Sequence, residues 1–485
     1  MCFGCFIFID DVNCAKMKSV IFDNNYQLYN NPYNHYLMTD PKGGFNLPST
    51  MKASRFNALS HTEEEGLILY NSYTGALIDF SKDEKEEVLG LLKNADTWPD
   101  TDVKKALEEN GFLVGEQVDE LKRAQFLHQS MHRTDMLHLI LMPTEACNFR
   151  CTYCYESFTR GRMTDETIAG VKALVREKAR TIHTLHISWF GGEPLLEIDL
   201  MEELSREFQA IAKEHGIAYS ADISTNGYFL SKDVFRRLLD MDIRQYMITI
   251  DGVEAVHDSR RFLIGGGKTF RDIMENLKSA GESSEEFDIS IRVNFDQDNL
   301  KETEELTDYL TTWFAGDKRF GLLYRPVGRW GGEHDEDIPI CSHMTANKKI
   351  WAFTSDAVEK NLFMSSSISG MIMPGGSVCY AAKPNAMVIG SDGQLYKCTT
   401  ALDADINHVG HLSVDGSLDL DYDKIIAWVS SGEETDATCQ SCFYRPSCQG
   451  NHCPWYRMLT GDRPCPSEKN NIRKVLGLIW KNSLL

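Results

Sequence analysis

Between residues 136 and 326, apolar runs alternate with amphipathic helical segments six times over, and few folds accommodate that order. Strands are predicted at 136–143, 185–190, 217–224, 244–250, 287–294 and 319–325, with helices at about 165–180, 200–215, 232–240, 269–278 and 301–313 between them. A strand followed by a helix that returns the chain to a neighbouring strand makes a parallel sheet, so an α/β fold is predicted. Eight such units would close a barrel, and six leave it open. Residues 134–330 therefore read as a partial (β/α)6 barrel, with its site at the carboxyl ends of the strands.

The flanking regions differ in pattern. Residues 1–50, rich in Asn, Tyr and Asp, show no periodicity and read as a disordered leader; Met51 is an alternative start. Cys2 and Cys5 resemble half of a metal site but lack a second pair nearby. In 51–133, short β-rich runs precede a helix opened by Ser81 with Glu84 three residues on, a second helix stops at Gly111, and a strand follows. This is a small sheet with helices, of winged-helix type; a buttressing domain without a ligand is the plainer reading. Beyond Gly331 the alternation ends, so 331–378 reads as a linker or insert and 379–485 as a turn-rich, cysteine-rich domain.

The formal charge of -21 is spread along the chain, which argues against nucleic acid, since a phosphate backbone needs a clustered positive footprint. No run of about 18 apolar residues is present, so no membrane span is predicted. The apolar start lacks a basic flank and is a poor signal peptide. The 14 cysteines fall into groups at metal-ligand spacings, which suits a reducing cytoplasm better than a disulfide framework.

The first barrel strand runs into Cys147-Asn-Phe-Arg-Cys151-Thr-Tyr-Cys154, a CxxxCxxC loop where a parallel α/β fold places its active site. Three thiolates can each bind one iron of a cubane and leave the fourth open to chemistry. Structural zinc would want a fourth ligand, and no further Cys or His adjoins the loop. The spacing, with Tyr153 as its aromatic, resembles the radical S-adenosylmethionine (SAM) superfamily. That resemblance implies a [4Fe-4S] cluster on Cys147, Cys151 and Cys154, with SAM chelating the open iron and a 5'-deoxyadenosyl radical formed on reduction. It also implies SAM contacts from Tyr153, from Gly191, Gly192 and Glu193 after the second strand, and from Ser224 and Asn226 after the third. Asp251, His257, Asp258 and Arg261 end the fourth strand, and Asn294 ends the fifth beside Arg292, which could pair with the SAM carboxylate. No catalytic side chain is assigned.

The C-terminal run Cys379, Cys398, Cys439, Cys442, Cys448, Cys453 and Cys465 resembles a SPASM domain, which implies two auxiliary clusters and three [4Fe-4S] clusters in all. Cys439, Cys442, Cys448 and Cys465 would hold the outer one. Cys379, Cys398 and Cys453 would hold the inner one, with Cys341 as a possible fourth ligand or the iron left open for a substrate thiolate. The run departs from the family in having four residues, not three, before Cys453. On spacing alone, a zinc ribbon over Cys439, Cys442, Cys448 and Cys453 fits nearly as well.

Such enzymes generally modify peptides, and residues 51–133 resemble the element that captures precursor-peptide leaders by adding a strand to a sheet edge. The resemblance implies a ribosomal precursor peptide as partner and a flavodoxin- or ferredoxin-like reductant. Sulfatase-type maturases carry Asp after the second SPASM cysteine, where this chain has Thr399, which counts against that class; an inner cluster open to a substrate thiolate favours a Cys-to-carbon thioether synthase, with a carbon-carbon crosslinking maturase as the alternative. From another class, an Fe-S electron-transfer or binding protein would show four cysteines at each site and no Gly-Gly-Glu.

Overall fold

A computed structural model describes residues 50–484 except 133, 134, 333, 334, 431 and 435. Cys2, Cys5 and Cys14, with the leader reading of residues 1–49, lie outside the described residues. The chain divides into two units: one runs to Glu120 and includes Ile472–Ser483, and the other spans Leu121–Asn471.

In the first unit, β1 (Met51–Ala53) pairs with β5 (Leu113–Gly115), and β2 (Asn57–His61), β3 (Leu67–Asn71) and β4 (Leu77–Phe80) form an antiparallel meander. The two predicted helices are Lys85–Lys93 and Asp102–Glu109. Ahead of the first, the Glu84 carboxylate accepts from the Ser81 backbone N–H at 2.8 Å and from its hydroxyl at 2.6 Å, satisfying groups that the turn leaves open. Every residue of β3 is buried, because both faces of the meander are covered. Leu67 and Leu69 pack with Val88 and Leu91 of the first helix, while helix Ile472–Asn482 lies against β2 and β3. The Ser60 hydroxyl donates to the Arg473 carbonyl at 2.7 Å. The end of the predicted 379–485 domain thus belongs to this first unit, since an amphipathic helix does not declare in its sequence which sheet it will cover.

The second unit is built on β6 (Met136–Leu141), β7 (Phe149–Cys151), β8 (Thr184–Trp189), β9 (Ala218–Thr225), β10 (Ile243–Thr249), β11 (Arg261–Leu263), β12 (Asp288–Phe295), β13 (Phe320–Pro326), β14 (Phe363–Met364), β15 (Ala386–Ile389), β16 (Gln394–Tyr396), β17 (His408–Leu412) and β18 (Leu418–Leu420). The six predicted strands are β6, β8, β9, β10, β12 and β13, each parallel to the next. Two further strands join in parallel: β14 beside β13 and β15 beside β6. β14 and β15 do not pair with each other among the described residues, so the sheet is a partial barrel, and β16–β18 extend it antiparallel beyond β15. The expected stop at Gly331 is therefore corrected. The stretch 331–378, read as a linker or insert, carries the helix His343–Glu359 and β14, and the cysteine-rich region supplies β15. Strands of two and four residues are too short for periodicity to reveal. Among the described residues no helix is long and apolar enough to cross a membrane.

The outer cysteine run is anchored by a buried ion pair. Glu433 accepts from Arg445 Nε at 2.8 and 2.9 Å and from Nη2 at 2.6 Å, and Arg445 Nη1 donates to the carbonyls of Leu121 and Gln440. Both side chains are almost wholly enclosed, so removing one leaves the other charged and dry. Arg445→Met is expected to destabilise the second unit by about 3 kcal/mol or more, and Arg445→Met with Glu433→Leu by much less. Urea unfolding checks this; equal losses in the single and double variants would refute it.

Candidate active site

The CxxxCxxC loop leaves β6 and is clamped from three sides. Its middle, β7, pairs antiparallel with β11, placing Cys151 opposite Arg261. Its start lies on the turn after β8: Gly192 N–H donates to the Thr144 carbonyl at 3.3 Å and Glu193 N–H to that of Ala146 at 2.9 Å. This approach is close enough to require glycine. A Cβ on Gly192 would stand 2.3 Å from the Ala146 oxygen, and one on Gly191, whose φ is +121°, would stand 2.3 Å from the Thr144 oxygen. Both glycines are thus spent on backbone packing beneath the cysteines.

Glu193, expected among the SAM contacts, also has a structural part. It is fully buried, and its carboxylate accepts from Thr225 Oγ1 at 2.7 Å, Asn226 N–H at 2.8 Å and Leu195 N–H at 3.0 Å. It ties the end of β8 to the end of β9. Asn226 extends the brace by donating from Nδ2 to Asn148 Oδ1 at 2.8 Å, inside the cysteine loop. What the Gly-Gly-Glu turn can still offer an ammonium group is main-chain carbonyl oxygen. Ser224, half-buried in β9, makes no side-chain hydrogen bond among the described residues.

Tyr153 is held from beneath. Its hydroxyl donates to Asp251 and accepts from Arg261 Nη1 at 2.9 Å and Asn294 Nδ2 at 3.1 Å, while Asp251 also accepts the Asn294 N–H. The Tyr153 ring is therefore fixed by the ends of β10, β11 and β12. Of the other residues noted after the fourth strand, His257 Nδ1 accepts the Asp251 N–H and Asp258 caps the start of the helix Phe270–Gly281. Both serve the scaffold.

The thiols share a strained electrostatic setting. Burial pushes Cys147 and Cys154 up to about 12, and each also feels Cys151; burial raises Cys151 too, against the opposing pull of Arg261. Thiols raised in this way lose their protons when a metal displaces them. Glu156, two residues on, is pushed up to about 8 by burial and by Glu145 and Glu193. Tyr155 lies within electrostatic reach of Cys154, Arg292 and Cys398, which places it between the loop and the C-terminal cysteines.

Those cysteines fall into two groups. Cys379, Cys398 and Cys453 sense one another, and burial followed by Cys398 pushes Cys379 up to about 12. Asn407 holds the Cys398 turn, accepting from the N–H groups of Lys397 and Cys398 and donating to the carbonyls of Cys398 and Ala401. Cys341 is buried, and the charged groups that act on it are Asp296 and Lys349. Cys439, Cys442, Cys448 and Cys465 line one small cavity, whereas Cys453 belongs to the other group. Among the described residues no three His, Cys, Asp or Glu side chains form a group that could hold a single metal ion. The donor sets fit iron-sulfur cubanes in their chemistry, being thiols alone, and the outer four line a common cavity, as a cluster that spreads its ligands over four irons requires. SAM would need a partner for its carboxylate, and Arg292 fits. The residue is half-buried, donates from Nε to Asn294 at 2.8 Å, and forms no ion pair with a carboxylate among the described residues.

Sequence reasoning did not single out Tyr155 and Glu156 beside the cysteine loop or Arg325 on the neighbouring strand. The first two directly follow the motif and Arg325 ends the sixth strand, so position along the fold was the signal available.

Residues 141–310 match the sequence profile of the Radical SAM superfamily. The chain is 24% identical over 265 residues to an uncharacterized protein of Methanocaldococcus jannaschii, covering 55% of this chain and 85% of that one. It is 25% identical over 340 residues to the mycofactocin maturase MftC of Mycolicibacterium smegmatis, covering 67% and 80%. It is 35% identical over 146 residues to the GTP 3',8-cyclase of Tolumonas auensis, a match spanning 30% of this chain and only 40% of the cyclase. A structure of anSMEcpe with bound AdoMet and Kp18Cys peptide shares the fold, with a TM-score of 0.53, 17% identity, and coverage of 72% of this chain and 100% of that one.

Gly192→Ala is expected to push the cysteine loop off the β8 turn, so that the reconstituted protein loses one cluster's complement of iron while Gly265→Ala, with open space around its Cβ, keeps it. Iron and sulfide counting checks this, and an unchanged iron content in Gly192→Ala would refute it. The clamped CxxxCxxC loop at a strand's carboxyl end and the profile match agree: over residues 141–310 this chain is a radical SAM superfamily member.

Proposed function

We propose that the protein is a peptide maturase that installs Cys-to-carbon thioether crosslinks in a ribosomally made precursor peptide. The observation that supports this reading is the inner group of Cys379, Cys398 and Cys453, which offers three thiolates. A cluster held there would keep one iron without a protein ligand, a position suited to a substrate cysteine sulfur. Thr399 after Cys398 speaks against the sulfatase-type alternative, and the similarity to a protein named as a maturase runs over two-thirds of the chain.

In this reading Cys147, Cys151 and Cys154 hold the radical SAM cluster, and Cys439, Cys442, Cys448 and Cys465 hold the outer auxiliary one. When bound, SAM and its cluster supply a 5'-deoxyadenosyl radical that abstracts hydrogen. The chain's own residues bind and orient: Arg292 pairs with the SAM carboxylate, Ser224 and the Gly191–Gly192 backbone face the rest of SAM, and Glu193, Asn226 and Tyr153 keep those elements in register. Residues 51–133 act as the leader-recognition domain, with an edge of the β2–β3–β4 meander receiving the leader as an added strand. Residues 379–471 act as a SPASM-type domain, and a flavodoxin- or ferredoxin-like protein of the cytoplasm supplies electrons.

The reconstituted protein, reduced anaerobically with SAM, is expected to release 5'-deoxyadenosine. Absence of that product with intact clusters would support the Fe-S electron-transfer alternative. Co-expression with a short Cys-containing peptide encoded beside the gene is expected to lower the peptide's mass by two hydrogens per crosslink and to consume one thiol. Loss of two hydrogens with all thiols still alkylatable would indicate carbon-carbon crosslinking instead.

A further inference from the structure

The face of β12 and β13 turned toward the cysteine loop carries two guanidinium groups, neither of them in a direct ion pair among the described residues, although Asp251 acts on Arg292 from a distance. Arg292 and Asn294 point to the same side of β12, and Asn294 reaches the Tyr153 hydroxyl, so that side faces the cysteine loop. Arg325 stands opposite Asn294 in the parallel register and shares this face. Neither arginine forms an ion pair among the described residues; the polar contact of Arg325 is a 3.9 Å approach to Met371 Sδ, and that of Arg292 is its bond to Asn294 with a similar approach to Met247 Sδ. The two repel each other, burial being the larger disadvantage to Arg292 and Arg325 the next. Arg325 also lies in the field of His452, next to Cys453, and Tyr155 lies between Arg292 and Cys398. Arg292 thus acts on Tyr155, beside Cys154, and Arg325 acts on His452, beside Cys453.

Two like charges held half-dry at this spacing call for anions, and one carboxylate of SAM meets the need of Arg292 alone. We infer that Arg325 is a substrate subsite for a second carboxylate, the acidic side chain of a residue next to the cysteine being modified. The inference rests on the peptide-maturase reading. It makes Arg325 a specificity-determining residue for peptides bearing Asp or Glu beside cysteine, held by a two-pronged guanidinium–carboxylate contact.

The test is equilibrium dialysis of the anaerobically reconstituted holoenzyme, saturated with SAM, against acetyl-Glu-Cys-amide, acetyl-Gln-Cys-amide and glutarate. The Glu peptide is expected to bind roughly tenfold more tightly than the Gln peptide, the size of one charge-assisted pair. Arg325→Gln is expected to erase that difference, and Arg325→Lys, a point charge without the fork, to keep part of it. Equal binding of the two peptides to the native protein overturns the inference while leaving the peptide reading intact, as does a preference that survives Arg325→Gln. Tenfold weaker SAM binding in Arg325→Gln would assign the guanidinium to SAM and also overturn it. Binding of glutarate alone, lost in Arg325→Gln, would uphold the carboxylate subsite and count against the peptide reading. Failure of all three probes to bind would overturn the subsite.

Discussion

The active end of the barrel depends on one buried carboxylate. Glu193 has three donors converging on it from Thr225, Asn226 and Leu195, and no water reaches it. An acid in that position stays buried at acceptable cost only because each donor is in place, so the ends of β8 and β9 hold one relative position. The Gly191–Gly192 backbone then sets the height of the cysteine loop above them, and Asn226 reaches across to Asn148 within it. The loop has little secondary structure of its own. Its shape is imposed by this clamp and by the short β7–β11 ribbon.

Charge within the unit is distributed with the same logic. Polar groups that shape the scaffold are paired: Tyr153 with Asp251, Arg261 and Asn294, Glu433 with Arg445, and Asn407 with the Cys398 turn. Groups bordering the interior space are not. Arg292 and Arg325 lack carboxylates among the described residues, Ser224 makes no side-chain bond, and the thiols are raised by burial. Groups without such partners are ones that a bound ligand can complete. That contrast separates residues that build the site from residues that face its contents.

Much of this was legible beforehand for a definite physical reason. Strands and helices of the barrel are long enough for their periods to register, so all six predicted strands and five predicted helices recur within a few residues. The CxxxCxxC spacing is a local property of the chain, and so is the run of C-terminal cysteines. Short elements carried no such signal: β7, β11 and β14 span three residues or fewer and exist only through their partners.

The sequence by itself determined the parallel α/β order, the placing of a three-cysteine loop at a strand's carboxyl end, and the supply of thiolates for further sites, because each is written within a few consecutive residues. Tertiary structure alone decided what distant residues do to one another. It turned Glu193 inward as a clamp and carried the last helix back to the first unit. It also set Arg325 beside Arg292 through a strand register that no local pattern encodes. Those outcomes depend on which side chains meet across the sheet, and that meeting is settled by packing and by the cost of leaving a buried charge alone.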